Sequence, residues 1–302
     1  MRDVSSKYSS LRTAKAVAVL NVQPRTIGLI KAGTVPKADP VGVAKVAGIQ
    51  AAKNTSLLVP YCHQVPLDFV GVQISLDRNS ITIRTEVKAI WKTGVEMEAL
   101  VAASATALTL YDMLKPIDDS MEITSVKLLE KKGGQSQMKE SGKGLTAAVL
   151  VLSDSVSTGK KRDTSGRYLA ERLKSWQFAV RGLKVLPDER KAIESELKKL
   201  CDTRKIDLIV TTGGTGTGPR DVTPEATLAV IERRLDGVEE ALRAFGQDRM
   251  PMAMLSRGVA GVRGKTLIIN LPGSRSAVED GMNALFPAIL HTFRMIRGGG
   301  HR

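Results

Sequence analysis

The sequence predicts two domains, an α+β unit followed by a doubly wound, mostly parallel α/β unit. Three observations carry this. A chain of 302 residues exceeds the usual size of one hydrophobic core. Between Lys131 and Lys143 it reads KKGGQSQMKESGK, a Gly-, Ser- and Lys-rich stretch without apolar periodicity, as in a flexible linker. Before that joint an alternating strand pair and helices do not alternate strictly; after it, four apolar runs are each followed by a helix signal. The expected division is residues 1–132, a linker over 133–143, and residues 144–302.

In the first unit, Asp39-Pro40 reads as a helix N-cap with proline at the first helical position, opening a helix that ends near Lys53-Asn54. Val70, Val72, Ile74 and Leu76 alternate with polar or small residues, DRNS turns the chain, and Ile81, Ile83 and Val87 continue the alternation. This is a β-hairpin with one buried face. Thr93 and Glu96 have the spacing of a capping box, and the helix they open runs until Pro116. Its middle, ALVAASATALTL, is made of small residues, so another element packs closely on it. A last strand spans about Met121 to Leu129.

The second unit alternates strand and helix. TAAVLVL (Thr146 to Leu152), AVRGLKVL, IDLIVTT and TLIINL are strands. Helices follow around Gly166 to Trp176, Glu189 to Cys201, from Pro224, and from Ser276, where Ser276 and Glu279 form a second capping-box pattern. Near-continuous apolar strands of this kind are covered on both faces.

Lys and Arg exceed Asp and Glu by 45 to 31, a net charge of +14 that favours anionic partners. The excess is spread along the chain, with 19 basic and 13 acidic residues up to Lys143, and 26 and 18 beyond it. Five Phe, four Tyr and two Trp are too few for binding nucleic acid by base stacking, so no nucleic-acid partner is expected. Cys62 and Cys201 form no metal or disulfide pattern, which suits a reducing cytoplasm. The apolar run Ala14 to Val22 is short, and no membrane span is expected.

In a doubly wound sheet, ligands bind beyond the carboxyl ends of the strands. There the chain places Ser153-Asp154-Ser155, Pro187-Asp188-Glu189, the glycine loop TTGGTGTGPRDVTPEAT (Thr211 to Thr227) with Asp221, and Pro272-Gly273-Ser274. The loop is neither a Walker A nor a G-x-G-x-x-G motif, but it leads into Thr223-Pro224, an N-cap signal. Its N–H groups and the helix N-terminus would form an anion cradle, against the alternative of a plain tight turn. Asp188 and Asp221 beside such a cradle suggest a magnesium ion held between protein and nucleotide; either one alone, Asp188 in particular, is more often a helix cap. Arg220 is either a source of positive charge or a solvated surface residue. In the first unit, Asp112 and Lys115 share a helix face and can form an ordinary ion pair.

Further motifs carry resemblances. TTGGTGTGPRDVTPEAT, with LPDE upstream, MLSRGVAGVRGKTLIINLPGS downstream and SDSVS near the start, resembles the molybdopterin adenylyltransferase family, which includes a domain of gephyrin. The resemblance implies that a pterin phosphate attacks the α-phosphorus of Mg-ATP and pyrophosphate leaves. It makes Asp188 and Asp221 the catalytic and metal-positioning residues. Ser153, Asp154, Gly213, Gly214, Thr215, Gly216, Arg220, Pro272, Gly273 and Ser274 would line the nucleotide and pterin pocket. A pterin-binding scaffold without catalysis is the alternative.

AKVAGIQAAKNT, VPYCHQVPL and KTGVEMEALVAASATALTLYDMLK resemble cyclic pyranopterin monophosphate synthase. That resemblance implies a ferredoxin-like fold, dimers and often hexamers with sites between subunits (the adenylyltransferase resemblance implies trimers, so a homo-oligomer, trimer or hexamer, is expected), and conversion of a cyclised dihydroguanosine triphosphate into a cyclic pterin phosphate and pyrophosphate. It makes Asp112 and Lys115 catalytic, with Lys115 a proton shuttle if its pKa is lowered. Arg12, Lys37, Lys53, Tyr61, Cys62, His63, Met97 and Glu98 would contact the substrate. No cofactor is expected for this unit. The two resemblances together imply a bifunctional enzyme of molybdenum cofactor biosynthesis.

Overall fold

The computed structural model describes residues 1–134 and 137–299; Gln135 and Ser136, inside the expected linker, lie outside the described residues. The chain forms two compact units, Met1–Gln137 and Met138–Arg302. Both ends of the expected linker are tied down. The Gln137 side chain bonds the Gly133 N–H and the Lys131 carbonyl. Gly142 donates to Trp176 O, and a Cβ there would lie 2.4 Å from the Phe178 ring.

The first unit runs β1 (Ser10–Asn21), α1 (Pro24–Ala32), α2 (Pro40–Lys53), α3 (Thr55–Leu58), β2 (Phe69–Leu76), β3 (Ser80–Trp91), α4 (Glu96–Leu114) and β4 (Glu122–Lys132). All strand pairs are antiparallel in the order β2-β3-β1-β4, which fits a ferredoxin-like arrangement. The central strand β1 was not anticipated, because its inward residues are the small Ala14, Ala16 and Ala18, which give weak alternation. Their smallness matters: α4 brings its own Ala99, Ala103 and Ala107 onto the same core. The close-packed partner predicted for α4 is α2, where a Cβ on Gly48 would sit 2.1 Å from Thr106 Oγ1 and 3.1 Å from Ala102 O.

One expectation is corrected here. Thr93 and Glu96 form no capping box; Val95 is the N-cap without a side-chain bond, and Glu96 pairs with Lys131 instead. By length and hydropathy α4 does reach the range of a membrane-crossing helix. Its buried face lies in the core of this unit, the position of an ordinary core helix. Asp39, by contrast, caps α2 as predicted, accepting from Val41 N and Gly42 N.

The second unit contains β5 (Thr146–Leu152), α5 (Asp154–Ser157), α6 (Ser165–Ser175), β6 (Ala179–Leu186), α7 (Arg190–Lys198), β7 (Leu208–Thr212), α8 (Thr223–Leu228), β8 (Arg233–Arg234), α9 (Asp236–Gln247), β9 (Ala260–Arg263), β10 (Thr266–Leu271), α10 (Arg275–Leu285) and α11 (His291–Ile296). The sheet order is β6-β5-β7-β10-β9-β8; the first four strands are parallel and the β10-β9 and β9-β8 pairs are antiparallel, so the sheet is mixed. Along β5, Ala147, Val149 and Val151 enter one core while Ala148, Leu150 and Leu152 enter another. Helices α6 and α10 cover the first face, α7 and α8 the second. That two-sided burial is why the strand sequences are continuously apolar.

Candidate active sites

In the first unit, helical spacing puts Asp112 and Lys115 one turn apart at the end of α4, and Lys115 Nζ lies 2.7 Å from Asp112 Oδ1. Lys37, from the loop before α2, brings Nζ to 2.9 Å from both Asp112 Oδ2 and the Asp112 carbonyl. The two ammonium groups, Lys115 first, hold the Asp112 carboxyl down to about 2. The same bond pushes Lys115 above its usual value. The condition set for Lys115 as a proton shuttle, a lowered pKa, is not met: its nearest charge is a carboxylate, which favours the ammonium form.

The remaining predicted residues cluster elsewhere. Glu98 lies fourteen residues before Asp112 on α4, about 21 Å along the axis. It is buried, and Cys62 Sγ donates to its Oε1 at 3.6 Å. Glu98 Oε2 is buried with no partner, and burial pushes the carboxyl up. His63 Nε2 pairs with Arg2 O at 2.8 Å, and His63 lines a shallow pocket with Trp91 and Lys92. Arg12, which is buried, aims its guanidinium at the carbonyls of Trp91, Lys92 and Gly133. Tyr61 and Met97 are exposed beside these residues. Since α2 runs antiparallel to α4, with Lys37 before its start at Asp112, exposed Lys53 at its end belongs to this second group. One protomer thus holds two groups at opposite ends of one helix.

Cys62 is accordingly no ready nucleophile. Burial, followed by the Glu98 charge, raises its thiol to about 11. We expect slow alkylation by iodoacetamide at pH 7.5 and faster labelling in Glu98→Gln, because removing the negative charge lowers the thiol pKa. Labelling of the native protein at the rate of a free thiol would contradict this.

In the second unit the parallel register levels four strand ends: Leu152 pairs with Leu186, Val151 with Thr212, and Thr212 with Leu271. The loops leaving them meet on one rim. Gly213 has φ +105°, and a Cβ there would lie 2.1 Å from Leu152 O, so only glycine fits between β5 and β7. Gly273 approaches it closely, and Thr212 Oγ1 donates to Pro272 O at 2.8 Å.

Asp154 and Asp188 are joined reciprocally: Asp154 N donates to Asp188 Oδ2, and Asp188 N to Asp154 Oδ1, both at 3.0 Å. Arg220 forks onto Asp154 with contacts of 2.9 to 3.1 Å. The Asp188 N–H and then Arg220 lower the Asp154 pKa. Asp188 is raised, first by burial and then by the Asp154 charge, with Asp221 adding to the repulsion. Its Oδ1 is buried without a hydrogen bond and lies 3.0 Å from where a Cβ on Gly214 would sit. Asp221 accepts from Gly218 N at 2.8 Å and so closes its own turn.

The N–H groups of Gly214, Thr215, Gly216 and Thr217 have no acceptor among the described residues. Two helix starts differ from expectation. Thr223 does not cap α8, since its hydroxyl donates to Gly213 O at 2.9 Å. Ser274, not Ser276, caps α10, accepting from Ala277 N at 3.2 Å, while Ser153 caps α5. Both serines on the rim therefore serve helix ends. Among the described residues no group of three or more His, Cys, Asp or Glu side chains could hold a metal alone.

Residues 1–134 match the MoaC family, and residues 148–291 match the probable molybdopterin binding domain. Across its whole length the chain is 43% identical to the molybdenum cofactor biosynthesis bifunctional protein of Chlorobaculum tepidum, of which it covers 96%. The chain belongs to the bifunctional molybdenum cofactor biosynthesis family. A second member, from Synechococcus elongatus, is 36% identical over all of this chain and 98% of its own length. Within this family, the first unit alone resembles the cyclic pyranopterin monophosphate synthase of Syntrophomonas wolfei, with 52% identity over 45% of this chain and 88% of that protein.

Sequence reasoning missed Arg257, which binds the glycine loop from a segment 41 residues after Gly216 in the chain. It stands in the MLSRGVAGVRGKTLIINLPGS motif, but nothing local to that motif shows that its side chain reaches the glycine loop. The separation of Glu98 from Asp112 was available in the sequence, because fourteen helical residues cannot bring two side chains together.

Proposed function

We propose that the first unit converts 3',8-cyclo-7,8-dihydroguanosine 5'-triphosphate to cyclic pyranopterin monophosphate and pyrophosphate, and that the second adenylylates molybdopterin with Mg-ATP. The observation that supports the second activity most is the row of four unpaired N–H groups beside the uncompensated Asp188 Oδ1. Backbone N–H groups at a glycine turn take phosphate oxygens, and a buried anionic oxygen without a donor suits a cation. Magnesium would be held by Asp188 and Asp221 together with nucleotide phosphate, and would neutralise charge on the transferring group. The N–H row orients the phosphate chain, and Arg220, now on Asp154, is within the same rim to balance departing negative charge. The Asp154–Asp188 pair keeps the carboxylate aimed and excludes its collapse onto the loop.

For the first activity, Asp112 between Lys37 and Lys115 supplies a carboxylate with two cations that a triphosphate would attract. Once the lysines turn to phosphate, Asp112 becomes more basic and able to accept a proton. The Glu98–Cys62–His63–Arg12 group stands too far along α4 to share that substrate within one protomer. The complete site is composed of the two groups from different copies in a homo-oligomer. Mixing Asp112→Asn with His63→Ala protein and allowing exchange of subunits is expected to restore activity that neither variant has. No recovery in proven mixed oligomers would place the site within one copy.

A further inference from the structure

Arg257 reaches the glycine loop from the segment between the 3-10 turn Pro251–Leu255 and β9. Its main-chain N–H donates to Thr215 O at 2.8 Å. Its Nε donates to Gly216 O and its Nη2 to Asp221 O, each at 2.7 Å. Nη1 pairs with the Glu225 carboxylate, whose pKa that bond lowers. One residue therefore holds three carbonyls spread over the loop, and α8 supplies the group that orients its guanidinium.

The direction of those carbonyls decides the direction of the unpaired N–H groups. In a trans peptide the C=O of one residue and the N–H of the next point opposite ways. Thr215 C=O and Gly216 C=O turn toward Arg257, so the N–H groups of Gly216 and Thr217 turn away from it. These are two of the four donors without an acceptor. A loop with glycine at 213, 214, 216 and 218 would otherwise populate many conformations, few of which present these donors together.

We infer that Arg257 is a positioning residue that holds the glycine loop in its anion-receiving conformation. The identity of the anion rests on the adenylylation reading above; the positioning role does not. The test uses the full chain as native protein, Arg257→Met, Arg257→Lys and Glu225→Gln, with hydrogen exchange, thermal melting and calorimetric titration of inorganic pyrophosphate with magnesium.

In Arg257→Met, exchange of the Gly218, Asp221 and Thr223 amides, which close the loop, is expected to quicken about tenfold while β7 and β10 stay protected. Pyrophosphate should bind about tenfold more weakly, the scale of one charge-assisted hydrogen bond, and Arg257→Lys should recover part of that loss. Unchanged exchange and binding in Arg257→Met would overturn the inference, as would a lysine variant no better than methionine. If Arg257→Met fails to fold, Glu225→Gln decides: faster loop exchange supports the role, and native exchange overturns it. If native protein ignores pyrophosphate, the adenylylation reading falls, while exchange still judges Arg257.

Discussion

Asp188→Asn is expected to lower pyrophosphate release from Mg-ATP and molybdopterin by about 10²–10³-fold, the cost seen when one electrostatic contact to a reacting group is removed. The amide keeps the oxygen that accepts from Asp154 N, so the junction between the β5 and β6 loops survives. What disappears is the charge on Oδ1, the buried oxygen without a donor. Stability should move the other way. Because burial raises the Asp188 pKa, the folded state disfavours its ionised form, and the protein loses stability as pH rises through that range. Asparagine removes the cost, so the melting temperature at pH 7 should hold or rise. Activity lost with stability kept marks a group retained for chemistry. A lower melting temperature with intact activity would make Asp188 a structural residue.

The second large effect is expected in Asp112→Asn, which should reduce cyclic pterin formation by about 10²–10⁴-fold, the usual contribution of a positioned acid or base. Asp112 is more than half exposed, and its two lysine partners are similarly open, so the fold should not register the change. Adenylylation by the second unit should be unaffected. If one substitution removed both activities from folded protein, the division of labour between the units would be wrong. In the free enzyme the carboxyl, held at about 2, is ionised at every working pH, so an acid limb near neutrality in kcat/KM would belong to another group.

How much of this was readable beforehand follows from the physics of each element. β5, β6 and β10 were bounded to the residue, because strands buried on both faces are continuous apolar runs with sharp ends. β1 escaped notice because a strand facing inward with three alanines resembles a generic apolar segment. β8 and β9 are two and four residues long, too short for any period to emerge. Convergence of the four loops could be anticipated from parallel topology alone, whereas the reciprocal Asp154–Asp188 bonds depend on loop conformation. The capping signals at Thr223 and Ser276 misled by small displacements: the hydroxyl of Thr223 found a nearer carbonyl, and Ser274 lay in the right turn. In the first unit the motif residues were all present in the sequence. Their division into two groups is a consequence of one helix of 19 residues, and it gives the oligomer its proposed role in completing the site.

The proposal that the glycine-loop unit is a catalyst, and not a binder of pterin, meets its most direct test in one assay. Purified full-length protein is given molybdopterin and Mg-ATP, and pyrophosphate and adenylylated pterin are both quantified. Equal amounts of the two, rising with time and abolished in Asp188→Asn, are predicted. Tight retention of molybdopterin with no pyrophosphate formed would contradict the account and leave that unit a scaffold.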